Sequence, residues 1–280
     1  MSDYLKANEF FQKPPKKTME FINKLVNWYF IPKYSGLENL QKNKPALYVS
    51  NHTLLGLTDG PLYMPMLWEE KDILLRPLTD KIQKDIPLWR SIVTDIGAVE
   101  GTRENCERLM AFKQHILVFP GGSNEITKIK GEEYKLKWQE RFGFVKMAIE
   151  NDYPIIPISG LGGDEIYDIV LDKKEIMESK IGTWLKDSGI ADKYLRGGSI
   201  IPPLLKGIGP TLIPKPQPLF YAFGKPIETK KYKQDASEEN LKEVRAKVEK
   251  EIYKGIKELM ELRNENAEEM SSWRKFLNNL

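Results

Sequence analysis

The sequence predicts a single α/β domain, with a central mixed, partly parallel sheet flanked by helices, an N-terminal amphipathic helix and a long C-terminal helix. Three β-rich runs, at residues 45–51, 115–122 and 153–160, each open into a turn that contains Gly or Asn. Segments with helical apolar spacing, such as 103–112 and 141–150, lie between them. Strands that alternate with helices are typical of α/β domains.

Composition excludes some classes of protein. The 280 residues include 43 Lys plus Arg and 40 Asp plus Glu, and the net charge of +3 does not favour a nucleic-acid partner. Hydrophobic residues make up 41% of the chain, which is enough for a sizeable core. The single cysteine, Cys106, excludes an internal disulfide and fits a reducing compartment.

Membrane spans and export signals are not expected. The sequence has no run of 18 consecutive apolar residues, which a transmembrane helix requires. The first residues are charged and lack an apolar core followed by a cleavage site. We expect a cytoplasmic protein, either free or peripherally bound to a membrane surface.

We divide the chain into a basic amphipathic segment (1–33), the α/β domain (34–232) and a C-terminal helical segment (233–280). Apolar residues with three-to-four spacing predict a helix in the first segment that ends before Pro32. These residues are Met19, Phe21, Ile22, Leu25, Val26 and Trp28. The helix either packs on the core or, because lysines flank its aromatic residues, lies in a membrane interface.

The second half of the chain is less regular before its final helix. We expect a helix or helix pair at 164–185, irregular extended chain at 197–219 and a late strand at 219–227. Asp235 and Glu238 have capping-box spacing at the start of the C-terminal helix. Its apolar stripe indicates core packing or a partner face, and consists of Leu241, Val244, Val248, Ile252, Ile256 and Leu259.

One of the two histidines, His52, follows the first strand in the stretch NHTLLGLTDG. A histidine beside a carboxylate can act as a general base, because the carboxylate holds one ring nitrogen and leaves the other free to take a proton. Asp59 is the candidate carboxylate. The alternatives are that His52 is an ordinary loop residue and that Asp59 caps a helix beginning at Gly60–Pro61.

Asp59 lies seven residues after His52, and this spacing limits the conformations in which their side chains meet. If residues 52–59 were helical, at about 1.5 Å per residue, Asp59 would lie roughly 10 Å along the axis from His52. The two side chains therefore meet only if the segment is looped, and Gly56 allows such a path.

Two further stretches carry candidate residues. Gly121 and Gly122 follow a strand and either form a simple turn or present N–H groups to an oxyanion. Arg103 follows a short strand and binds an anionic group, or pairs with Glu100 or Glu104. No phosphate-binding loop, dinucleotide fingerprint, serine-hydrolase elbow or zinc spacing is present in the sequence.

The motifs NHTLLGLTDG, GAVEGTREN, VFPGGSNE and YPIIPI, in this order, resemble the successive motifs of the lysophospholipid acyltransferase superfamily. PGG with Glu125, then EEYKLKWQERFGFVKMAIENDYPIIPI and FYAFGKPIET, resemble its neutral-lipid branch, which includes diacylglycerol acyltransferase-like and phytyl or wax ester synthase-like enzymes. The resemblance covers about residues 30–230.

This resemblance implies an acyltransferase domain that moves an acyl chain from a thioester, acyl-CoA or acyl-carrier protein, to a lipid hydroxyl at a membrane or lipid-droplet surface. It implies catalytic roles for His52 and Asp59, and no metal, cofactor or covalent intermediate. The substrate-binding residues that it implies are Asn51, Gly97, Arg103, Pro120, Gly121, Gly122, Ser123 and Glu125. Lys128 and Lys130 join Arg103 as candidates for holding the phosphates of the donor.

The sequence departs from the superfamily at two places. Phosphate-handling members usually read F-P-E-G-T-R, whereas here Asn124 stands in place of the arginine, which favours an uncharged acceptor such as diacylglycerol or a long-chain alcohol. The usual aspartate position after His52 is taken by Leu57. The alternatives are a lysophosphatidate-type acyltransferase and a catalytically weak relative that binds lipid. A serine-type lipase ranks low because its nucleophile motif is absent from the sequence.

Overall fold

The structure, a computed structural model, describes residues 13–80, 96–198, 201–233, 235–266 and 270–280. Within these ranges the strands are β1 (Lys33–Ser35), β2 (Leu47–Ser50), β3 (Leu75–Thr79), β4 (Val99–Glu100), β5 (His115–Val118), β6 (Ile155–Leu161), β7 (Asp168–Leu171), β8 (Leu204–Lys206) and β9 (Phe220–Phe223). The main sheet has the order β1-β9-β6-β2-β5-β3-β4, and β7 and β8 form a separate antiparallel pair.

The main sheet is mixed and mostly parallel, as predicted. Strands β6, β2, β5, β3 and β4 are parallel to one another. Strand β9 is antiparallel to β6 and parallel to β1. The carboxyl ends of β2, β5 and β6 therefore meet at one edge of the sheet, where ligand sites of open α/β sheets form.

The helices, in chain order, are α1 (Lys16–Phe30), α2 (Gly60–Lys71), α3 (Arg103–Ala111), α4 (Ser123–Ile126), α5 (Gly143–Glu150), α6 (Lys173–Glu178), α7 (Lys180–Asp187), α8 (Ile190–Leu195), α9 (Glu238–Glu265) and α10 (Ser272–Asn278). Helix α1 ends before Pro32, as predicted. Among the described residues, every helix is too short or too polar to cross a bilayer.

Helices cover both faces of the sheet. Leu47 and Val49 of β2 point into a core with α3, α5 and α9, whereas Tyr48 points into a second core with α1 and α2. This alternation follows from the two-residue period of a strand. All four residues of β2 are buried, as expected for a parallel strand with helices on both sides.

The long C-terminal helix α9 packs against β6 and β9, so that its stripe is core packing. Gly255 lies against Ser159, whose hydroxyl donates to the carbonyl of Ile252 at 2.8 Å. The predicted capping residue was wrong: Ser237 is the N-cap and accepts from the N–H of Asn240. Asp235 instead accepts from the N–H of Ser237, in the turn that leads into the helix.

The prediction for 164–185 was partly wrong. Residues 168–171 form β7, which pairs with β8 inside the stretch that we expected to be irregular. The β-branched Ile169 and Val170 favour a strand here. Helix α6 begins only after Asp172, which forms a capping box with Glu175, and α7 follows it.

Candidate active site

The candidate site lies where β2, β5 and β6 end. Asn51 follows β2 and joins it to β6, since its amide donates to the carbonyl of Gly160 at 3.0 Å and its side-chain oxygen accepts from the N–H of Gly160 at 2.8 Å. The side chain of Asn51 is thus buried and bonded to the backbone, and it fixes the origin of the loop that carries His52.

The loop from His52 to Asp59 folds back on itself. Leu55 and Gly56 have φ values of 59° and 67°, and these two left-handed residues reverse the chain. Nδ1 of His52 hydrogen-bonds the Asp59 carboxylate. Asp59 also accepts from the hydroxyl of Thr53 at 2.7 Å and from its N–H at 3.0 Å. Residues 52–59 are therefore looped, as the contact between His52 and Asp59 requires.

Two neighbours hold the imidazole ring of His52. The ring of Phe119 stacks on it, with centroids 4.0 Å apart and planes inclined by 15°. The backbone of Gly56 also lies close to the ring, because a Cβ at Gly56 would overlap Cε1 of His52. Among the described residues, Nε2 of His52 has no protein partner, and the carboxylate of Asp59 favours the tautomer with the proton on Nδ1. Nε2 is consequently the nitrogen available to accept a proton.

Three consecutive backbone N–H groups of this loop each donate to a different buried carboxylate. The N–H of His52 donates to Oε2 of Glu125 at 3.0 Å. The N–H of Thr53 donates to Asp59, and that of Leu54 to Oδ1 of Asp164 at 2.7 Å. Hydrogen bonds to ionised acceptors are about twice as strong as neutral ones, so the path of the loop is firmly determined.

A buried lysine balances part of this negative charge. Nζ of Lys128 donates to the carbonyl of His52 at 2.8 Å and to Oδ2 of Asp164 at 2.7 Å. The side chains of Lys128 and Asp164 are only 3% and 2% exposed. Buried charges of this kind persist only when they are paired and hydrogen-bonded, so this ammonium supports the loop and does not face solvent.

Glu125 is fully buried, and its second oxygen accepts from the N–H of Lys137 at 2.9 Å. Burial raises the pKa of Glu125, while the N–H of Lys137 acts in the opposite direction. A Cβ at Gly121 would overlap the Glu125 carboxylate, which explains the glycine at that position. The structure thus places Glu125 against the backbone of the His52 loop.

The Gly121–Gly122 turn follows β5. Arg141 donates to the carbonyls of Pro120 and Gly121 at 2.8 and 3.0 Å. The N–H of Gly122 closes the turn on the carbonyl of Phe119 at 3.0 Å. Within the part of the chain that the structure describes, the turn's own bonds do not use the N–H of Gly121. Ser123 begins α4 directly after it.

Arg103 lies away from this cluster, at the exposed start of α3. It donates to Glu107 at 2.8 Å and to Glu150 at 3.0 Å. An ion pair is present, but the predicted partners, Glu100 and Glu104, were wrong, because Glu107 lies one helical turn on.

Two other predicted binding residues lie on turns or on the surface. Gly97 occupies the turn before β4 with φ 74°, and residues 81–95 before it lie outside the described residues. Lys130 is exposed and pairs with Glu175 at 2.8 Å.

The second histidine, His115, and the cysteine, Cys106, are buried and have structural roles. His115 is buried, donates from Nε2 to the carbonyl of Lys42 at 2.9 Å and contacts the hydroxyl of Tyr48. Burial lowers the pKa of His115 and raises the pKa of the Cys106 thiol to about 11. His115 therefore has no free ring nitrogen to act as a base, and the raised pKa keeps the Cys106 thiol from acting as a nucleophile.

A cavity of about 350 Å³ adjoins the His52 loop. Its lining includes Leu54, Lys128 and Asp164, which belong to the loop or bond to it, and also Tyr167 and Lys215. Its size is at the lower end of the range for small-molecule sites, and its lining mixes polar and apolar groups. This mixed lining suits an amphipathic group.

Sequence reasoning missed the roles of three residues that build the site. Asp164 was not a candidate, Phe119 lies in the motif VFPGGSNE but was given no role, and Lys128 was expected to hold a donor phosphate but is buried against Asp164. A signal for Asp164 was present, since it follows β6 after Gly162 and Gly163, at the sheet edge where sites collect. This position in the sequence predicts where Asp164 lies, but not which groups it binds.

Fold and site together define a class: an α/β enzyme with a His–Asp pair at the carboxyl end of a parallel strand and a free imidazole nitrogen. Residues 71–269 match the family described as diacylglycerol acyltransferase. The chain belongs to this family of acyltransferases, as the sequence motifs predicted. The matched residues begin after His52 and Asp59, so the match itself does not assign their roles.

Relatives and a solved structure agree with this family. The chain is 34% identical over 240 residues to phytyl ester synthase 1, chloroplastic, of Arabidopsis thaliana, over 78% of this chain and 33% of that one. It is 32% identical over 237 residues to phytyl ester synthase 2, chloroplastic, of the same plant, over 79% and 33%. The chain thus spans about a third of the length of these relatives.

The fold is similar to that of the 1-acyl-sn-glycerophosphate (LPA) acyltransferase PlsC from Thermotoga maritima. The TM-score is 0.51 at 17% identity, over 92% of this chain and 88% of that one. At this identity the similarity concerns the fold alone, and it confirms the predicted α/β fold with a central, partly parallel sheet.

Proposed function

We propose that the protein transfers a fatty acyl group from a thioester, acyl-CoA or acyl-carrier protein, to the hydroxyl of a neutral lipid, with His52 as general base. The observation that carries the proposal is the geometry of His52: Nδ1 is held by Asp59, and Nε2 has no protein partner among the described residues. This arrangement is the one that a general base requires.

In the proposed reaction, Nε2 of His52 takes the proton of the acceptor hydroxyl as its oxygen attacks the thioester carbonyl. The N–H of Gly121 stabilises the oxyanion that forms. The C–S bond then breaks, and the imidazolium returns the proton to the departing thiolate. General-base assistance contributes about 10²–10⁴-fold. The reaction needs the acyl thioester as co-substrate and no further cofactor.

A neutral acceptor fits the charges around the loop. Two cations of the site already have partners: Lys128 pairs with Asp164, and Arg141 donates to the carbonyls of Pro120 and Gly121. Asn124 offers no charge for an acceptor phosphate. The plant relatives are named for phytyl esters, which favours diacylglycerol or a long-chain or isoprenoid alcohol.

We assign Arg103 and Lys130 to the phosphates of the donor, because exposed ion pairs are weak and exchange readily for a phosphate. The reaction takes place at a membrane or lipid-droplet surface, where its acceptor resides. Helix α1 supports peripheral attachment from the cytoplasmic side, since it exposes aromatic residues beside lysines.

The test is ester formation by the full chain and by His52→Ala, with acyl-CoA and acyl-carrier donors and read by mass spectrometry. We expect His52→Ala to lose about 10²–10⁴-fold of the rate. Its melting temperature, measured alongside, reports whether the fold is kept. Equal product from both proteins would instead favour a lipid-binding relative. That alternative was based on the position of Asp59, which lies two residues beyond the usual aspartate. Because Asp59 nevertheless hydrogen-bonds His52, its position no longer favours a lipid-binding relative.

A second assay separates the acceptors. Diacylglycerol, phytol and a long-chain alcohol are compared with lysophosphatidate, and we expect product with the neutral alcohols. Robust acylation of lysophosphatidate with none of the neutral alcohols would assign the protein to phospholipid synthesis.

A further inference from the structure

Helix α1 carries two apolar stripes on opposite sides. Met19, Val26 and Phe30 are buried in the core. Phe21, Leu25 and Trp28 are 66%, 50% and 62% exposed. At about 100° per residue, this second set shares one face, directly opposite the first. The core therefore accounts for one stripe only.

The small C-terminal helix α10 is fastened to the end of α1. Trp273 stacks on Trp28, with centroids 6.0 Å apart and planes inclined by 22°. The guanidinium of the buried Arg274 donates to the carbonyls of Trp28 and Tyr29. Carbonyls in the last turn of a helix lack helical partners, so Arg274 satisfies them and joins the two helices.

Helix α10 extends the exposed stripe. Phe276 lies one turn after Trp273 on the same side of the helix and is 64% exposed. We name the surface of Phe21, Leu25, Trp28, Trp273 and Phe276 the α1–α10 face. Aromatic groups on adjacent helices with this exposure mark an interaction site.

The charges beside the face indicate its partner. Lys17 and Lys24 precede Phe21 and Trp28 by one helical turn each and are exposed, and Lys275 follows on α10. Lysines that flank Trp and Phe suit a lipid interface, because the rings enter the headgroup region and the ammonium groups meet anionic phosphates.

Helix α1 is linked to the cavity that adjoins the His52 loop. The hydroxyl of Tyr29, in α1, donates to the carbonyl of Pro214 at 2.5 Å. The hydroxyl of Tyr167, in the cavity wall, donates to the carbonyl of Leu212 at 3.1 Å. The segment 212–214 thus connects α1 to the cavity wall, and it exposes Leu212 and Ile213.

We propose that α10 and α1 together form the surface by which the protein docks on an anionic lipid bilayer, with the cavity that adjoins the His52 loop held near the membrane. This goes beyond the attachment through α1, because it makes the C-terminal helix a membrane-binding element. It rests on the proposed function only in that the bilayer then supplies the acceptor.

The test is co-sedimentation of the full chain with phosphatidylcholine vesicles, with and without phosphatidylglycerol. Phe276→Ser and Phe21→Ser each remove an exposed ring and should each weaken partitioning at least about tenfold. Trp184→Ser is the matched control, since Trp184 is 59% exposed on α7, and its partitioning should not change. An equal loss in the control, or none in Phe276→Ser, would overturn the proposal.

Charge and self-association are tested with the same protein. Lys17→Gln and Lys24→Gln should each lower binding about fivefold, and only with phosphatidylglycerol present, whereas Lys257→Gln on α9 should not. Gel filtration without vesicles tests whether a second copy of this protein covers the α1–α10 face instead of a membrane. A dimer that Phe276→Ser dissociates would contradict the proposal. His52→Ala should bind vesicles like the wild type, which separates failure of docking from failure of catalysis.

Discussion

Lys128 and Lys130 stand two residues apart, and the sequence suggested the same role for both, yet the structure gives them opposite surroundings. The side chain of Lys128 is 3% exposed and pairs with Asp164, which is 2% exposed. The side chain of Lys130 is 47% exposed and pairs with Glu175, which is 41% exposed. Both are Lys–carboxylate pairs at 2.8 Å or less.

The difference shows that burial, and not the pair itself, decides what a charge does here. Water screens an exposed pair and can replace either partner, so Lys130 stays available to an incoming phosphate. A buried pair cannot lose one partner without leaving an uncompensated charge. Lys128, Asp164 and Glu125 therefore hold the His52 loop, while the exposed charges remain free for exchange.

The largest expected effect concerns the two lysines themselves. Lys128→Met leaves Asp164 buried and unpaired, and should lower the free energy of unfolding by about 3–5 kcal/mol. Lys130→Met should change it by less than about 1 kcal/mol. Urea denaturation of both variants measures the difference, and similar losses would show that the contrast in burial has no energetic consequence.

A smaller effect is expected for two glycines that share a left-handed backbone. Gly56 has φ +67° beside the His52 ring, whereas Gly131 has φ +79° and would place a Cβ in open space. Alanine at either site costs about 1–2 kcal/mol in backbone strain. Only Gly56→Ala should also displace the imidazole and reduce ester formation by more than tenfold.

Gly131→Ala serves as the control for that strain. Full activity in Gly56→Ala, at a stability equal to that of Gly131→Ala, would contradict the role given to Gly56.

The smallest effect is a dependence on pH. Burial raises the pKa of Glu125, so the folded state keeps the proton of this carboxyl group to a higher pH than the unfolded chain does. The stability of the wild type relative to Glu125→Gln should therefore fall as pH rises from the usual value of 4.5 through the raised pKa. The slope cannot exceed about 1.4 kcal/mol per pH unit.

Glu175 provides the opposite sign for that experiment. Its exposed carboxylate bonds to Lys130, which lowers its pKa. The wild type should lose stability relative to Glu175→Gln only as pH falls. Urea denaturation of the wild type and both variants, at pH values above and below 4.5, checks both predictions. The stability difference should fall with rising pH for Glu125 and rise with pH for Glu175, and the same sign for both would contradict the comparison.

The elements that carry the site could be predicted from local patterns. The three main strands, the C-terminal end of α1 and the apolar stripe of α9 all follow from periodicity and proline, which act over a few residues. Strand β7 could not, because residues 168–171 gain their partner from 204–206, and a short apolar run reads equally as helix or strand.

The sequence by itself determined the α/β class and the family and marked His52 as the candidate base, because order, spacing and flanking residues of motifs are local properties. Only the tertiary structure decided that Asp59 reaches His52, that Asp164 binds the Leu54 N–H across 110 residues of sequence, and that Lys128 is buried while Lys130 is not. The physical reason is the same in each case. A hydrogen bond or a desolvated charge depends on distances between segments that the chain brings together only when the sheet has formed.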